Sequence, residues 1–129
     1  MENNSERRKE KRLRYHWPVW FAEDFDGVIF HGQMIDICSD AACFTYQADE
    51  NCPYMGQELT TRFSVPCFDE DDGFDMANFV RSARVFRIDE VSNYIRRIAI
   101  QFSESLPFKP GHQGENSSQD PQKLNAVTI

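Results

Sequence analysis

The segment "QELTTRFSV", residues 57–65, alternates side chains of two kinds. One series comprises Leu59, Thr61, Phe63 and Val65, and the residues between them are charged or polar. Because successive side chains of a β-strand point to opposite faces, this period of two predicts a strand with one face in a core. Pro66 follows, and we expect it to end the strand because it has no backbone N–H.

Five more segments have the composition or alternation of strands, namely residues 17–22, 28–37, 43–47, 78–88 and 95–102. "EDFDG", residues 23–27, separates the first two and suits the turn of a hairpin. The alternation of residues 78–88 slips near Ser82, which predicts a β-bulge there. Six short strands with turns between them predict an all-β fold, a six-stranded antiparallel β-barrel that closes its own edges.

The chain divides into three parts by composition. Residues 1–16 are predicted to be a flexible basic segment, and residues 17–106 the barrel. Residues 107–129 are rich in Pro, Gly, Ser, Asn and Gln and are predicted to be a disordered tail. With 129 residues, of which 40% are hydrophobic, the chain is long enough for one domain with one core.

Charge is distributed unevenly along the chain. The net charge is −7, but residues 1–16 hold six Arg or Lys and three Glu, which leaves −10 for the rest. So negative a body would repel DNA or RNA, although a compact anion could still bind to a local Arg cluster. No stretch is long and apolar enough to insert into a membrane, and the polar start does not resemble a secretory signal. We therefore expect a cytoplasmic protein.

The sequence gives little indication of a metal or of catalysis. The four cysteines show no C-x2-C pair and no histidine at the spacing of zinc ligands, so buried free thiols are expected. The chain contains no Gly-rich phosphate loop, no G-x-S-x-G motif and no nucleophile signature beside a histidine. The interpretation is a binding protein without cofactor or metal, not an enzyme.

Two motifs are candidates for ligand binding. The first is R-R-x-x-x-R, formed by Arg7, Arg8 and Arg12 ahead of the first strand. Guanidinium groups offer paired donors that match phosphate oxygens and flat faces that stack on bases, so three in one flexible segment could hold a phosphorylated purine. An ordinary basic tail that keeps the protein soluble is the alternative.

The second motif is "MIDICSDAACF", residues 34–44, where the second predicted strand turns into the third. The carboxylate of Asp36 could accept hydrogen bonds from N1–H and the amino group of guanine together. Cys38 and Ala41 are small and would leave room for a ligand near the backbone. By itself, this segment also fits a simple turn.

Together the two motifs resemble those of the PilZ domain, the bacterial receptor module for the second messenger cyclic di-GMP. That family pairs R-R-x-x-x-R before its first strand with D/N-x-S-x-x-G at the end of its second. Pro18-Val19 at the start of the first strand and "RRIAIQFSES", residues 96–105, are also similar to the family. The resemblance covers residues 6–105.

The resemblance implies that Arg7, Arg8, Arg12 and Asp36 bind cyclic di-GMP. Cys38 stands where the family has Ser, and Ala41 where it has Gly. A thiol is a weaker donor than a hydroxyl, and a Cβ at the Gly position would push toward the ligand, so we expect reduced affinity. In an alternative register, a one-residue bulge would give these two roles to Ser39 and Ala42.

The family mechanism further implies that residues 1–16, the Arg segment, fold over the ligand and change the surface shown to a downstream protein partner. The competing hypothesis is a degenerate PilZ-fold interaction module that does not bind the nucleotide. In that case the acidic loop "DEDDGFD", residues 69–75, would contribute to a patch for a basic partner. The sequence leaves the oligomeric state open.

Overall fold

A computed structural model of the chain describes residues 10–68 and 73–113, and the structural statements below concern these residues. Seven strands and one turn of 3-10 helix are present. They are β1 (Leu13–Arg14), β2 (Pro18–Ala22), β3 (Phe30–Ile37), β4 (Ala41–Gln47), β5 (Glu58–Phe68), β6 (Phe74–Glu90), β7 (Ile95–Phe102) and the helical turn Pro110–His112. None of the helical structure in this part of the chain could cross a membrane.

Strands β2 to β7 form a closed antiparallel barrel. The neighbours run in the order β3, β2, β5, β6, β7, β4, and β4 pairs back onto β3. The short strand β1 lies outside this ring and pairs with the end of β3. The predicted six-stranded antiparallel barrel is therefore confirmed, and the two-residue β1 is an addition that the sequence patterns did not indicate.

The inward series of the strands fills the barrel with aromatic and aliphatic side chains. Phe63 stacks on Phe102 with ring centres 5.3 Å apart, and Phe21 lies 5.2 Å from Phe44. Thr61 is fully buried in this core, and its hydroxyl donates to the carbonyl of Arg81 at 2.8 Å. The satisfied hydroxyl explains why a threonine is tolerated in the apolar series of β5.

Pro66 does not end its strand, contrary to the expectation from the sequence. It lies within β5 and pairs with Met76 of β6. The carbonyl of Pro66 accepts from Nε2 of Gln113 at 2.7 Å, so the backbone carbonyl and nitrogen of Pro66 both face away from β6. Strand β2 pairs only with residues 60–63 of β5, so the missing N–H removes no ladder hydrogen bond.

The predicted bulge also lies elsewhere. Ser82 pairs regularly with Thr60, and the register of β6 against β7 shifts between Val85 and Arg87. Phe86 is the extra residue at this shift and is 47% exposed. The large aromatic side chain hides the irregularity in the sequence, because a phenylalanine there is equally consistent with a regular strand.

The chain beyond the barrel takes a defined path as far as Gln113. Leu106 is buried and donates its N–H to the carbonyl of Ser39 at 2.7 Å. Gln113 accepts from the N–H of Phe68 at 2.9 Å. Residues 107–113, which the sequence assigned to the tail, are therefore tied to the barrel, and the remainder of that assignment lies outside the described residues.

Candidate functional site at the turn between β3 and β4

The described end of the Arg segment runs along the end of β3. Leu13 and Tyr15 are buried, while Arg12 and Arg14 between and beside them are exposed. The backbone N–H of Tyr15 donates to the carbonyl of Ile35 at 3.1 Å, and its hydroxyl donates to the backbone carbonyl of Ser64 at 2.9 Å. Burial raises the pKa of this phenol. Alternation along residues 12–15 thus fixes the segment to the barrel and turns the guanidinium groups outward.

Arg12 and Asp36, one residue from each sequence motif, form an ion pair. Nη1 of Arg12 lies 3.7 Å from Oδ2 of Asp36, and the two side chains are 36% and 17% exposed. At this distance and exposure the pair contributes at most about 1 kcal/mol to folding. Its importance is positional, because both groups face solvent at the same point of the barrel. Arg7 and Arg8 lie outside the described residues.

The turn itself is tight. The N–H of Cys38 donates to the carbonyl of Ala41 at 2.9 Å, which closes the turn around Ser39 and Asp40. The thiol of Cys38 donates to Oδ1 of Asp40 at 3.3 Å. The pKa of this thiol is raised from 9.0 to about 11, and burial is the largest cause. Cys38 is therefore a protonated donor that is already engaged within the turn.

Ala41, the residue at the family's Gly position, begins β4 and pairs with Gln101. A strand residue has extended backbone, so its Cβ causes no left-handed strain here. Of the two residues that the alternative register assigns to the site, Ser39 lies at the surface of the turn. Ala42 is 4% exposed and packs in the core between Ile37 and Ile100. The structure thus brings Ser39, but not Ala42, to the same place as Asp36 and Cys38.

The outer surface of the barrel beside the turn has a floor of small side chains. Cross-strand pairing aligns Asp36 of β3, Cys43 of β4, Ala99 of β7 and Arg87 of β6 in one row. This row spans about 14 Å at the usual strand spacing. Burial raises the pKa of the Cys43 thiol to about 11, and the charge of Asp36 adds to this effect.

Arginines from other strands surround the same floor. The positive charges of Arg97, Arg87 and Arg12 all act on the Cys43 thiol and lower its pKa against the stronger effect of burial. Arg87 is held by Asp89, with Nε 3.1 Å from Oδ2. Sequence reasoning missed Arg87 and Arg97, since nothing local shows which outward residues of distant strands become neighbours.

Glu10 is a third residue that the sequence did not single out. Its carboxylate accepts from the N–H of Ser39 at 2.7 Å and from the Ser39 hydroxyl at 2.6 Å. A signal was present, because Glu10 is the one acidic residue among the three variable positions of R-R-x-x-x-R. Its contact with the second motif, however, depends on the path of the chain along β3.

Glu10, Cys38 and Asp40 together offer ligand atoms within 4.8 Å of one another. Their chemistry does not favour a metal. Both oxygens of Glu10 already accept hydrogen bonds from Ser39, and the high pKa of Cys38 disfavours the thiolate that a metal requires.

Comparison with known proteins supports the fold. No family model and no curated protein matches the sequence. Among solved structures, the chain is similar to the Bacillus subtilis inhibitor of motility MotI/DgrA, a PilZ-domain protein, with a TM-score of 0.57 and 15% sequence identity. The match covers 89% of this chain and 48% of that one, so the chain spans about half the length of its structural neighbour. At this identity the likeness shows a PilZ-like fold.

Proposed function

We propose that the chain is a bacterial receptor for cyclic di-GMP, a binding protein rather than an enzyme, that acts in the cytoplasm through a protein partner. The observation that carries the proposal is the Arg12–Asp36 pair, which joins the two motifs of the sequence at one point of the barrel surface. The PilZ-like fold of the chain and of MotI/DgrA supports it.

The groups at this site match the chemistry of the ligand. Arginines offer forked donors to the two phosphates and flat faces to the guanines, and Asp36 offers two acceptor oxygens to one guanine edge. Cys43 and Ala99 are small but only 4% and 5% exposed, so a flat base would reach the strands between Asp36 and Arg87 once the side chains over them move aside. Arg7 and Arg8 would complete the set of cations from the preceding segment.

The affinity is expected to be modest. A micromolar site corresponds to about 8 kcal/mol, which two or three charge-assisted contacts and one guanine pair can supply after ordering costs. Cys38 offers a weak donor that already serves Asp40. The loss of a hydroxyl contact there would weaken binding by about one to two orders of magnitude.

The proposed relay to a partner involves the aromatic surface that follows the Arg segment. Trp17 and Trp20 are 44% and 37% exposed, and Val80, which lies in the same row as Trp20 two strands away, is 56% exposed. Trp17 lies immediately beyond the basic segment, and its carbonyl accepts from the N–H of Met34 at 2.7 Å. A rearrangement of the Arg segment on binding would therefore change the position of Trp17 on this surface. Exposed aromatic groups are typical of protein interfaces.

Isothermal titration calorimetry with cyclic di-GMP at low salt tests the proposal. We expect binding in the micromolar range that Arg8→Ala abolishes. Arg62→Ala is the matched control, because Arg62 lies on β5 over the ring of Phe25 and should leave binding unchanged. No heat and no shift of amide resonances at near-millimolar nucleotide would contradict the proposal and favour an interaction module that does not sense the nucleotide.

A further inference from the structure

In the turn between β3 and β4, the donors of Ser39 bind an anion from the protein itself, the carboxylate of Glu10. Oε2 of Glu10 lies 2.7 Å from the backbone nitrogen of Ser39, and Oε1 lies 2.6 Å from its hydroxyl oxygen. Short distances of this kind are typical of hydrogen bonds to a charged acceptor. A backbone N–H beside a hydroxyl is also a donor pair that phosphate oxygens use. The Ser39 donors thus form an anion subsite that Glu10 fills, with a carboxylate oxygen of Asp40 within 4.8 Å of the Glu10 carboxylate.

The backbone of the Arg segment keeps Glu10 over this subsite. Leu13 pairs with Ile37 and Arg14 with Asp36, so the chain three and four residues after Glu10 is fixed beside the end of β3. The Arg12–Asp36 ion pair lies in the same stretch. The carboxylate is therefore presented to Ser39 by a fixed backbone and not by a free tail.

Residues 109–113, which we call the C-terminal strap, cover the segment from the other side. The N–H of Lys11 donates to Nε2 of His112 at 2.8 Å. A Cβ at Gly111 would overlap the carbonyl oxygen of Lys11 and lie 2.6 Å from its carbonyl carbon, so the two backbones are in direct contact. Gln113 bonds to Pro66 and Phe68 of β5 and anchors the strap to the barrel.

We infer that Glu10 is a built-in competitor of the ligand's phosphate at the donors of Ser39. This inference rests on the proposed function, because the competing ligand is cyclic di-GMP. A dinucleotide phosphate and the Glu10 carboxylate carry like charge and need the same two donors, so they do not occupy the subsite together. The protein binds the nucleotide only in the fraction of molecules whose Glu10 has left Ser39, and its apparent affinity is lowered by that fraction.

Glu10→Gln tests the competition. Glutamine keeps the size of the side chain but removes the charge and one acceptor, so it competes less well. We expect cyclic di-GMP to bind about tenfold tighter, as for a closed state that outnumbers the open one by about ten to one. Glu58→Gln is the matched control: Glu58 pairs with Arg84 away from the turn, and the change in net charge is the same. Unchanged or weaker binding by Glu10→Gln overturns the inference, as does equal tightening by both variants.

A second measurement separates the subsite from the nucleotide. Inorganic phosphate at millimolar concentration should shift the Ser39 amide resonance in Glu10→Gln and leave it in place in the wild-type protein. If phosphate moves this resonance only in the variant while neither protein binds cyclic di-GMP, the subsite stands and the proposed function is wrong. If phosphate moves it in neither protein, or equally in both, the competition is wrong whatever the nucleotide does.

Discussion

The two ends of strand β3 present opposite chemistry to a ligand. At the Ile37 end, a tight turn offers the donors of Ser39, with Arg12 and Asp36 beside them. At the Phe30 end lies a cavity of about 430 Å³ with an aromatic floor and acidic walls, which contain Glu23, Asp24 and Glu50 among other residues. The described residues that line this cavity include no Arg or Lys, so its three carboxylates would repel a doubly negative dinucleotide. At the turn, the carboxylates of Glu10, Asp36 and Asp40 are accompanied by Arg12, Arg87 and Arg97. This cavity is therefore unsuited to the anion, although it is concave.

The difference arises in the connections and not in the strands. Between β3 and β4 only residues 38–40 intervene, and the donors of this turn lie close to the barrel surface. At the other end, residues 23–29 and 48–57 form longer loops that leave space between them and bring the acidic side chains together. The same closed barrel thus has one end where arginines accompany the carboxylates and one acidic end whose cavity is lined by no Arg or Lys of the described chain.

The largest difference between the two ends is expected in thiol chemistry. Burial raises the pKa of Cys38 and Cys43 to about 11, whereas Cys52 of the cavity is raised less far from 9.0. A rise from 9.0 to about 11 leaves about 100-fold less thiolate at pH 8 than an unshifted thiol has. We expect iodoacetamide at pH 8 to modify Cys52 before Cys38 and Cys43, as mass spectrometry of the peptides would show.

Raising the pH sharpens the same comparison. Modification of Cys38 should accelerate up to about pH 11, because the fraction of reactive thiolate rises about tenfold per pH unit until the pH passes the pKa. Rapid labelling of Cys38 at pH 7 would mean that the turn does not bury this thiol, and the reason given for its weak role as a donor would be lost.

The next largest effect concerns Arg12. Arg12→Ala removes a charge-assisted contact to phosphate and leaves Asp36 without its partner, so cyclic di-GMP binding should weaken by about 30-fold. Arg62→Ala, an exposed arginine elsewhere on the barrel, provides the reference in the same calorimetric titration. Equal affinities for the two variants would show that the nucleotide binds at another place.

A smaller gain is expected from restoring the family's motif. Cys38→Ser combined with Ala41→Gly supplies a stronger donor at the turn and removes a methyl group from its surface, and should tighten binding by about tenfold. Cys52→Ser at the acidic end is the control for a cysteine-to-serine change as such. An unchanged dissociation constant for the double variant would show that the ligand does not contact positions 38 and 41.

Local sequence patterns predict most of the barrel. Leu59, Phe63 and Val65 alternate with polar residues, and this period is fixed by the geometry of the strand itself. The patterns fail where a distant partner decides, as at Pro66, whose missing N–H costs nothing because β2 is too short to reach it. The bulge at Phe86 was not predicted for a similar reason, since the position of a bulge depends on the register of the neighbouring strand.

The sequence by itself determined the existence of the six barrel strands, the inward series and the two motifs, because these follow from the chemistry of neighbouring residues. Only the tertiary structure decided that Arg12 meets Asp36, that Arg87 and Arg97 surround Cys43, and that Glu10 caps Ser39. These contacts depend on strand order and register, which bring together residues up to 54 positions apart. Local patterns carry no information on such distances, because barrel closure fixes them only when all six strands have paired.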